Sequence, residues 1–260
     1  MFRYHYYSPL ILQKIGYILF SIAFALFFDL DVYGDELEDT SKPLIFAANH
    51  TSELDPPMFA LVLPFLSKHF PLYFVSAPKE NYGRTSFGWR SYIYGGQLFN
   101  LLGAYPIASG HKNYAYALQQ HIMLLRKGQS ICIFPEGRRT LDGSLSKAHG
   151  GVAYLSYVTG ASVVPISINT FFNFSWKNIW ENMLRGRRRV VVRVGRPLSA
   201  HELVSEANPK VEDFQRGAQM VVDTIGRMIQ LPDEETEENS SVESSESIEK
   251  IENIIFGEGA

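Results

Sequence analysis

Five short apolar runs recur along this 260-residue chain: PLIFAA (43–48), LYFVSA (72–77), SICIF (130–134), SVVPISI (162–168) and VVVRV (190–194). Runs of this length and β-branched content read as buried strands. Helical patterns lie between them. MFALVLPFL follows Pro56-Pro57, and residues 113–126 space Tyr114, Leu118, Ile122 and Leu125 along one face before Gly128. GGVAYLSYVTG closes on Gly160, and a long final helix, 211–230, aligns Phe214, Ala218, Val221, Val222, Ile225 and Ile229. Strands alternating with helices in this way predict an α/β domain whose sheet is largely parallel or mixed and flanked by helices. With 46% hydrophobic residues, one core over residues 31–230 is expected.

Both termini differ in composition from this body. IGYILFSIAFALFF (15–28) is uncharged between Lys14 and Asp29, short of the roughly 20 residues a membrane span needs. Its only small-x-small element, Ala23-Phe24-Ala25, lies inside the apolar run, against a cleaved signal peptide. Residues 1–30 are therefore expected to form a membrane-associating helix at the interface. Tyr4, Tyr6, Tyr7 and Tyr17, with Arg3 and Lys14, would flank it at the headgroups. Residues 231–260 hold ten acids and one lysine and are expected to be a disordered acidic tail. Removing that tail from the net charge of −3 leaves a body of about +6. Such a body favours anionic partners such as phospholipid headgroups, and no nucleic-acid motif accompanies it. The arginines at 185, 187, 188 and 189 suit either headgroups or a solvated turn. Cys132 is the only cysteine, which excludes an internal disulfide and multi-cysteine metal sites and fits a reducing compartment.

Two polar clusters follow predicted strands, where open α/β sheets bind ligands. In NHTSELD (49–55), His50 and Asp55 are five apart, about 140° apart on a straight helix, so they meet only if the chain turns. Pro56-Pro57 favours that turn, because the residue before a proline avoids the α region and the helix would begin after Asp55. A carboxylate on one ring nitrogen would fix the tautomer and raise the basicity of the other. The alternative is an aspartate that merely caps the next helix beside a strand-end histidine. FPEGRRT (134–140) offers two guanidinium groups suited to phosphate, with Glu136 to orient an arginine or meet a substrate hydroxyl. A solvated turn with Gly137 at positive φ is the competing reading. The remaining histidines show no metal-ligand spacing.

In order and about 80 residues apart, NHTSELD and FPEGRRT resemble the phospholipid and glycerol-phosphate acyltransferase family, whose blocks read NHxSxxD and FPEGTRS. GDELEDTSKPLIFAANH and SKAHGGVAYLSYVTGASVVPISI extend the resemblance over roughly residues 30–200. It implies a 1-acylglycerol-3-phosphate acyltransferase with His50 as general base and Asp55 as its orienting partner. Glu136, Gly137 and Arg139 would form the acceptor-phosphate site, and Asn49, Ser52, Lys79, Arg138 and Thr140 would also contact substrate. The partners implied are a lysophospholipid acceptor, acyl-CoA or acyl carrier protein as thioester co-substrate, and the membrane surface on its cytoplasmic face. No metal or further cofactor is implied. Two positions depart from the pattern. Arg138 stands where the family usually has threonine or glycine, and Ser109 ends GAYPIAS where the family's GAFPVDR ends in arginine. Either Arg138 or Lys112 supplies the missing charge, or the site has lost a phosphate contact and takes a different headgroup, such as a lysophosphodiester or an amino-acid lipid.

Overall fold

The computed structural model describes residues 4–34, 43–52, 54–77, 97–108, 113–140, 142–169 and 188–231. Lys79, Ser109, Lys112, Arg185, Arg187 and the acidic tail from 232 onward lie outside the described residues. The strands are β1 (Phe28–Gly34), β2 (Ile45–Ala48), β3 (Tyr73–Ser76), β4 (Ala104–Pro106), β5 (Ile131–Ile133), β6 (Val163–Asn169) and β7 (Arg188–Val194). The helices are α1 (Tyr7–Phe27), α2 (Asp55–Leu61), α3 (Gln97–Leu101), α4 (Tyr114–Ala117), α5 (Gln119–Arg126), α6 (Gly151–Thr159), α7 (Ala200–Leu203) and α8 (Val211–Gln230).

The seven strands form one mixed sheet in the order β1-β7-β6-β2-β5-β3-β4. From β6 to β4 all pairings are parallel. β7 runs antiparallel to β6 and carries β1 parallel at the edge. The central β2 explains why its sequence shows no polar alternation: all four residues are buried, and successive side chains enter opposite layers. Ile45 and Ala47 join the core beneath α5, α6 and α8. Phe46 and Ala48 join the one beneath α1 and α2, with Phe24, Phe28, Met58 and Phe59.

Several expected bounds shift, each for a local reason. α2 includes Asp55 and ends at Leu61 rather than continuing to Leu66, because Pro64 cannot extend a helix. The helix expected over 113–126 divides at Leu118 into α4, capped by the Asn113 side chain on Ala115 N–H (2.9 Å), and α5. α6 ends as anticipated on Gly160, whose φ of 72° is a left-handed cap that glycine adopts without Cβ strain.

α1 begins eight residues before the uncharged run, since Pro9 is tolerated in a first turn. Its 21 residues make it long and apolar enough to cross a bilayer, yet one side is seated on the domain along its length. The Gln13 side chain donates to the carbonyls of Leu72 (2.7 Å) and Leu102 (2.9 Å) and accepts from Leu72 N–H (2.8 Å). Lys14 donates to the Phe65 carbonyl and lies over the Phe70 ring, 3.9 Å from its centroid. Tyr17, Phe20 and Phe24 pack inward. Ile11, Ile15, Ile18, Leu19, Ile22 and Leu26 are exposed, and their three- and four-residue spacing places them on one outward stripe.

Candidate active site

The chain leaving β2 is fixed before it reaches His50. The Asn49 amide donates to the Ile168 carbonyl (2.9 Å) and accepts from Ile168 N–H (2.8 Å), clamping this segment to β6. The turn that follows closes on Asp55, which is fully buried. Its Oδ2 accepts the N–H groups of Thr51 (2.6 Å) and Ser52 (2.7 Å) and meets His50 Nδ1 at 2.9 Å. The carboxylate thus bonds the turn before it rather than the first N–H groups of α2. A carboxylate only accepts, so Nδ1 carries the ring proton and Nε2 is left with its lone pair.

Three further contacts hold His50 in place. Phe134 stacks on its face with centroids 4.1 Å apart and planes 14° apart. The His50 carbonyl accepts Thr140 N–H at 2.8 Å. His50 N–H donates to Glu136 Oε1 at 3.2 Å, while the other Glu136 oxygen accepts Ser146 N–H at 2.7 Å. About a quarter of the imidazole remains accessible, and among the described residues Nε2 has no protein partner.

This geometry divides the residues expected to touch substrate. Asn49, Ser52, Glu136 and Thr140 are buried and engaged within the protein. Asn49 spends both polar ends of its amide on Ile168, so it shapes the loop instead of meeting a ligand. Ser52 Oγ accepts Leu54 N–H (2.9 Å), and Thr140 Oγ1 donates to Asp142 (3.0 Å) and accepts Gly143 N–H (3.1 Å). Glu136 neither orients an arginine nor points outward: its carboxylate joins the His50 loop to the Ser146 loop. Gly137 has a φ of 69°, the left-handed conformation expected for that turn. Gly137 and Arg138 are exposed and Arg139 is half-buried, and Lys79 lies outside the described residues.

Phe134 was missed by motif reasoning, which treated it as the end of a strand. Its position directly before Pro135-Glu136-Gly137 was the available signal. The turn's N–H groups are also partly committed: that of Gly137 donates to the Phe134 carbonyl at 3.0 Å and that of Thr140 to His50. Neither is available to an oxyanion.

Two other histidines belong to the core. His69 Nδ1 lies 2.9 Å from Ser130 Oγ, and His121 Nε2 lies 3.1 Å from the Tyr105 carbonyl. Burial pushes the His121 imidazole down to about 4, so it is neutral near pH 7. Among the described residues, no group of three or more His, Cys, Asp or Glu side chains is arranged to hold a metal ion. Arg189, one of the arginines considered for headgroups, pairs with Asp31 on β1 (2.6 Å) and with the Tyr33 hydroxyl (3.0 Å).

The chain has relatives among known proteins. The chain is 30% identical over 146 residues to a 1-acyl-sn-glycerol-3-phosphate acyltransferase of Chlamydomonas reinhardtii, a match covering 55% of this chain and 40% of that protein. It is 27% identical over 162 residues to a lyso-ornithine lipid O-acyltransferase of Pseudomonas aeruginosa, covering 62% of this chain and 55% of the relative. The chain thus spans about half the length of these curated relatives. The crystal structure of the 1-acyl-sn-glycerophosphate (LPA) acyltransferase PlsC from Thermotoga maritima superposes with a TM-score of 0.57 at 22% identity, covering 86% of this chain and 82% of that one, a likeness of fold. The sequence model of the Acyltransferase family matches residues 29–169, a stretch that contains both the His50–Asp55 turn and the FPEGRRT turn, and the chain belongs to that family.

Proposed function

We propose that this protein transfers a fatty acyl group from a thioester, acyl-CoA or acyl carrier protein, to the hydroxyl of 1-acylglycerol-3-phosphate, giving phosphatidic acid. The observation that carries this reading is the 2.9 Å contact between His50 Nδ1 and Asp55 Oδ2, which leaves Nε2 to act as base. Nε2 takes the hydroxyl proton as the acceptor oxygen attacks the thioester carbonyl. Collapse of the tetrahedral intermediate breaks the C–S bond, and the proton on Nε2 passes to the departing thiolate. General-base assistance of this kind contributes about 10²–10⁴ in rate. Arg138 and Arg139 supply the positive charge for the acceptor's phosphate.

The outward apolar stripe of α1 supports a location on a membrane surface, with the helix lying in the interface rather than crossing it. The lone cysteine and the thioester donor fit the cytoplasmic face. A second reading of the acceptor, an amino-acid lipid, is favoured by the Pseudomonas relative, which is named for a lyso-ornithine lipid. The test is thiol release from acyl-CoA by the wild type and His50→Ala, with and without a panel of lysolipids. Acceptor-dependent release that is strongest with lysophosphatidic acid and lost in His50→Ala is expected. Release without acceptor would make the protein a thioesterase, and preference for an amino-acid lysolipid would promote the second reading.

A further inference from the structure

A second imidazole borders the FPEGRRT turn, supplied from outside both sequence motifs. His149 directly precedes the two glycines that lead into α6, and its N–H donates to the Pro135 carbonyl at 2.8 Å. That bond draws the residue to the turn. Its ring lies against the bare Cα of Gly137: a methyl group added at Gly137 would come within 2.8 Å of His149 Cδ2 and 3.3 Å of Nε2. A side chain at position 137 would therefore displace the ring. His149 is exposed, and among the described residues its ring nitrogens have no protein partner.

The groups around this turn divide by chemistry. Glu136 is buried and held by the N–H groups of His50 and Ser146, and the exposed Asp142 carboxylate accepts from the Thr140 hydroxyl and from Ser144. The His149 ring lies against Gly137, and the next two residues, the exposed Arg138 and the half-buried Arg139, add hydrogen-bond donors to the same stretch of chain. Three donors around a glycine suit a phosphoryl group, which accepts several bonds at once. An imidazole N–H adds a directional contact to the charge the arginines provide.

We propose that His149 is a binding residue for the acceptor's phosphoryl group, forming one wall of its subsite opposite the motif arginines. This rests on the reading of the acceptor as a phosphorylated lysolipid. Losing one charge-assisted bond at such a site costs about tenfold or more in affinity. His149→Ala is accordingly expected to raise the KM for lysophosphatidic acid about tenfold while leaving kcat and the thioester KM unchanged. His149→Gln, which keeps an N–H donor, is expected to recover most of the loss.

The experiment has two arms on the full chain in detergent micelles. The first measures those kinetics. The second titrates the ¹⁵N-labelled wild type with sn-glycerol 3-phosphate and follows the His149 imidazole signals, assigned by their absence from His149→Gln. A saturable shift with the predicted KM split supports the proposal. An unchanged acceptor KM in His149→Ala overturns it and leaves the acyltransferase reading standing. If the wild type does not acylate lysophosphatidic acid, that reading of the acceptor fails and the titration decides: a saturable shift retains His149 as a phosphate contact, and no shift removes it. Should His149→Ala fail to fold, His149→Gln and the wild-type titration give the same decision.

Discussion

Asp55→Asn isolates the charge of the buried carboxylate from its shape. Three of the contacts to Asp55 converge on Oδ2, from His50, Thr51 and Ser52. Among the described residues, Oδ1 has only the Thr51 hydroxyl, at 3.5 Å. An asparagine can place its carbonyl where Oδ2 stands and turn its NH₂ toward that hydroxyl, which can accept, so the turn survives. What disappears is the negative charge beside the imidazolium that forms in the reaction. Two unit charges about 4 Å apart interact by ~4 kcal/mol at an effective dielectric of about 20. Because the His50 ring is about a quarter accessible, solvent screening reduces this to ~2 kcal/mol, a factor of about 30. Asp55→Asn is expected to lower kcat about 30-fold, with the acceptor KM little changed, in a continuous thiol-release assay. Asp55→Ala removes the acceptor itself and strands the Thr51 and Ser52 N–H groups, at about 1–3 kcal/mol each. It should lose ~2–6 kcal/mol of stability in urea unfolding as well as its activity. An Asp55→Asn variant with wild-type kcat, or an Asp55→Ala variant as stable as the wild type, would refute the reasoning.

Three more outcomes are expected. Arg139→Ala should raise the acceptor KM ten- to a hundredfold, the cost of about 1.5–3 kcal/mol for a charge-assisted contact, while the thioester KM stays put; an unchanged acceptor KM places the phosphate elsewhere. Replacing Ile15 and Ile22 with glutamate, both on the outward stripe of α1, should abolish sedimentation with anionic liposomes and leave the far-UV circular dichroism unchanged, whereas continued sedimentation would move the membrane contact off α1. His121 should make the protein acid-sensitive: with a folded value of about 4 against about 6.5 unfolded, the unfolded chain binds more protons between those values. Stability is then retained above pH 6.5 and falls by up to ~3 kcal/mol toward pH 4, a decline that His121→Phe should flatten in urea titrations at pH 4.5 and 7.

Strands buried on both faces were legible because almost nothing polar interrupts them: β2 and β5 fall within the runs that predicted them, and β6 passes the end of its run by one residue, Asn169. β1 was not, since Asp29 and Asp31 give it the look of a polar linker after the apolar helix. It pairs in parallel with β7, where Arg189, 158 positions from Asp31, reaches that carboxylate, and an edge strand matched by charge across a sheet leaves no local pattern. The His50–Asp55 turn could be read from Pro56-Pro57, which constrains the backbone on the spot. The internal roles of Asn49 and Glu136 could not, because their partners, Ile168 and Ser146, lie in separate loops and strands. Residues near one another in sequence can announce a turn, whereas a polar side chain looks alike on paper whether it will face a ligand or fasten the scaffold.

Glu136 is the joint through which two loops share one fate. One oxygen holds the backbone of His50 and the other that of Ser146, so the His50 turn is tied to this loop through Glu136 as well as through Thr140 N–H. The nine residues between Glu136 and Ser146 act as a spacer of set length: lengthening or cutting it would withdraw the Ser146 N–H and leave the carboxylate half-satisfied. Damage to that loop would then register as lost alignment of the His50 backbone. Sequence changes in this loop would be read in an assay as active-site lesions, while the thermal stability of the domain, rooted in the two layers flanking β2, stays nearly as it was.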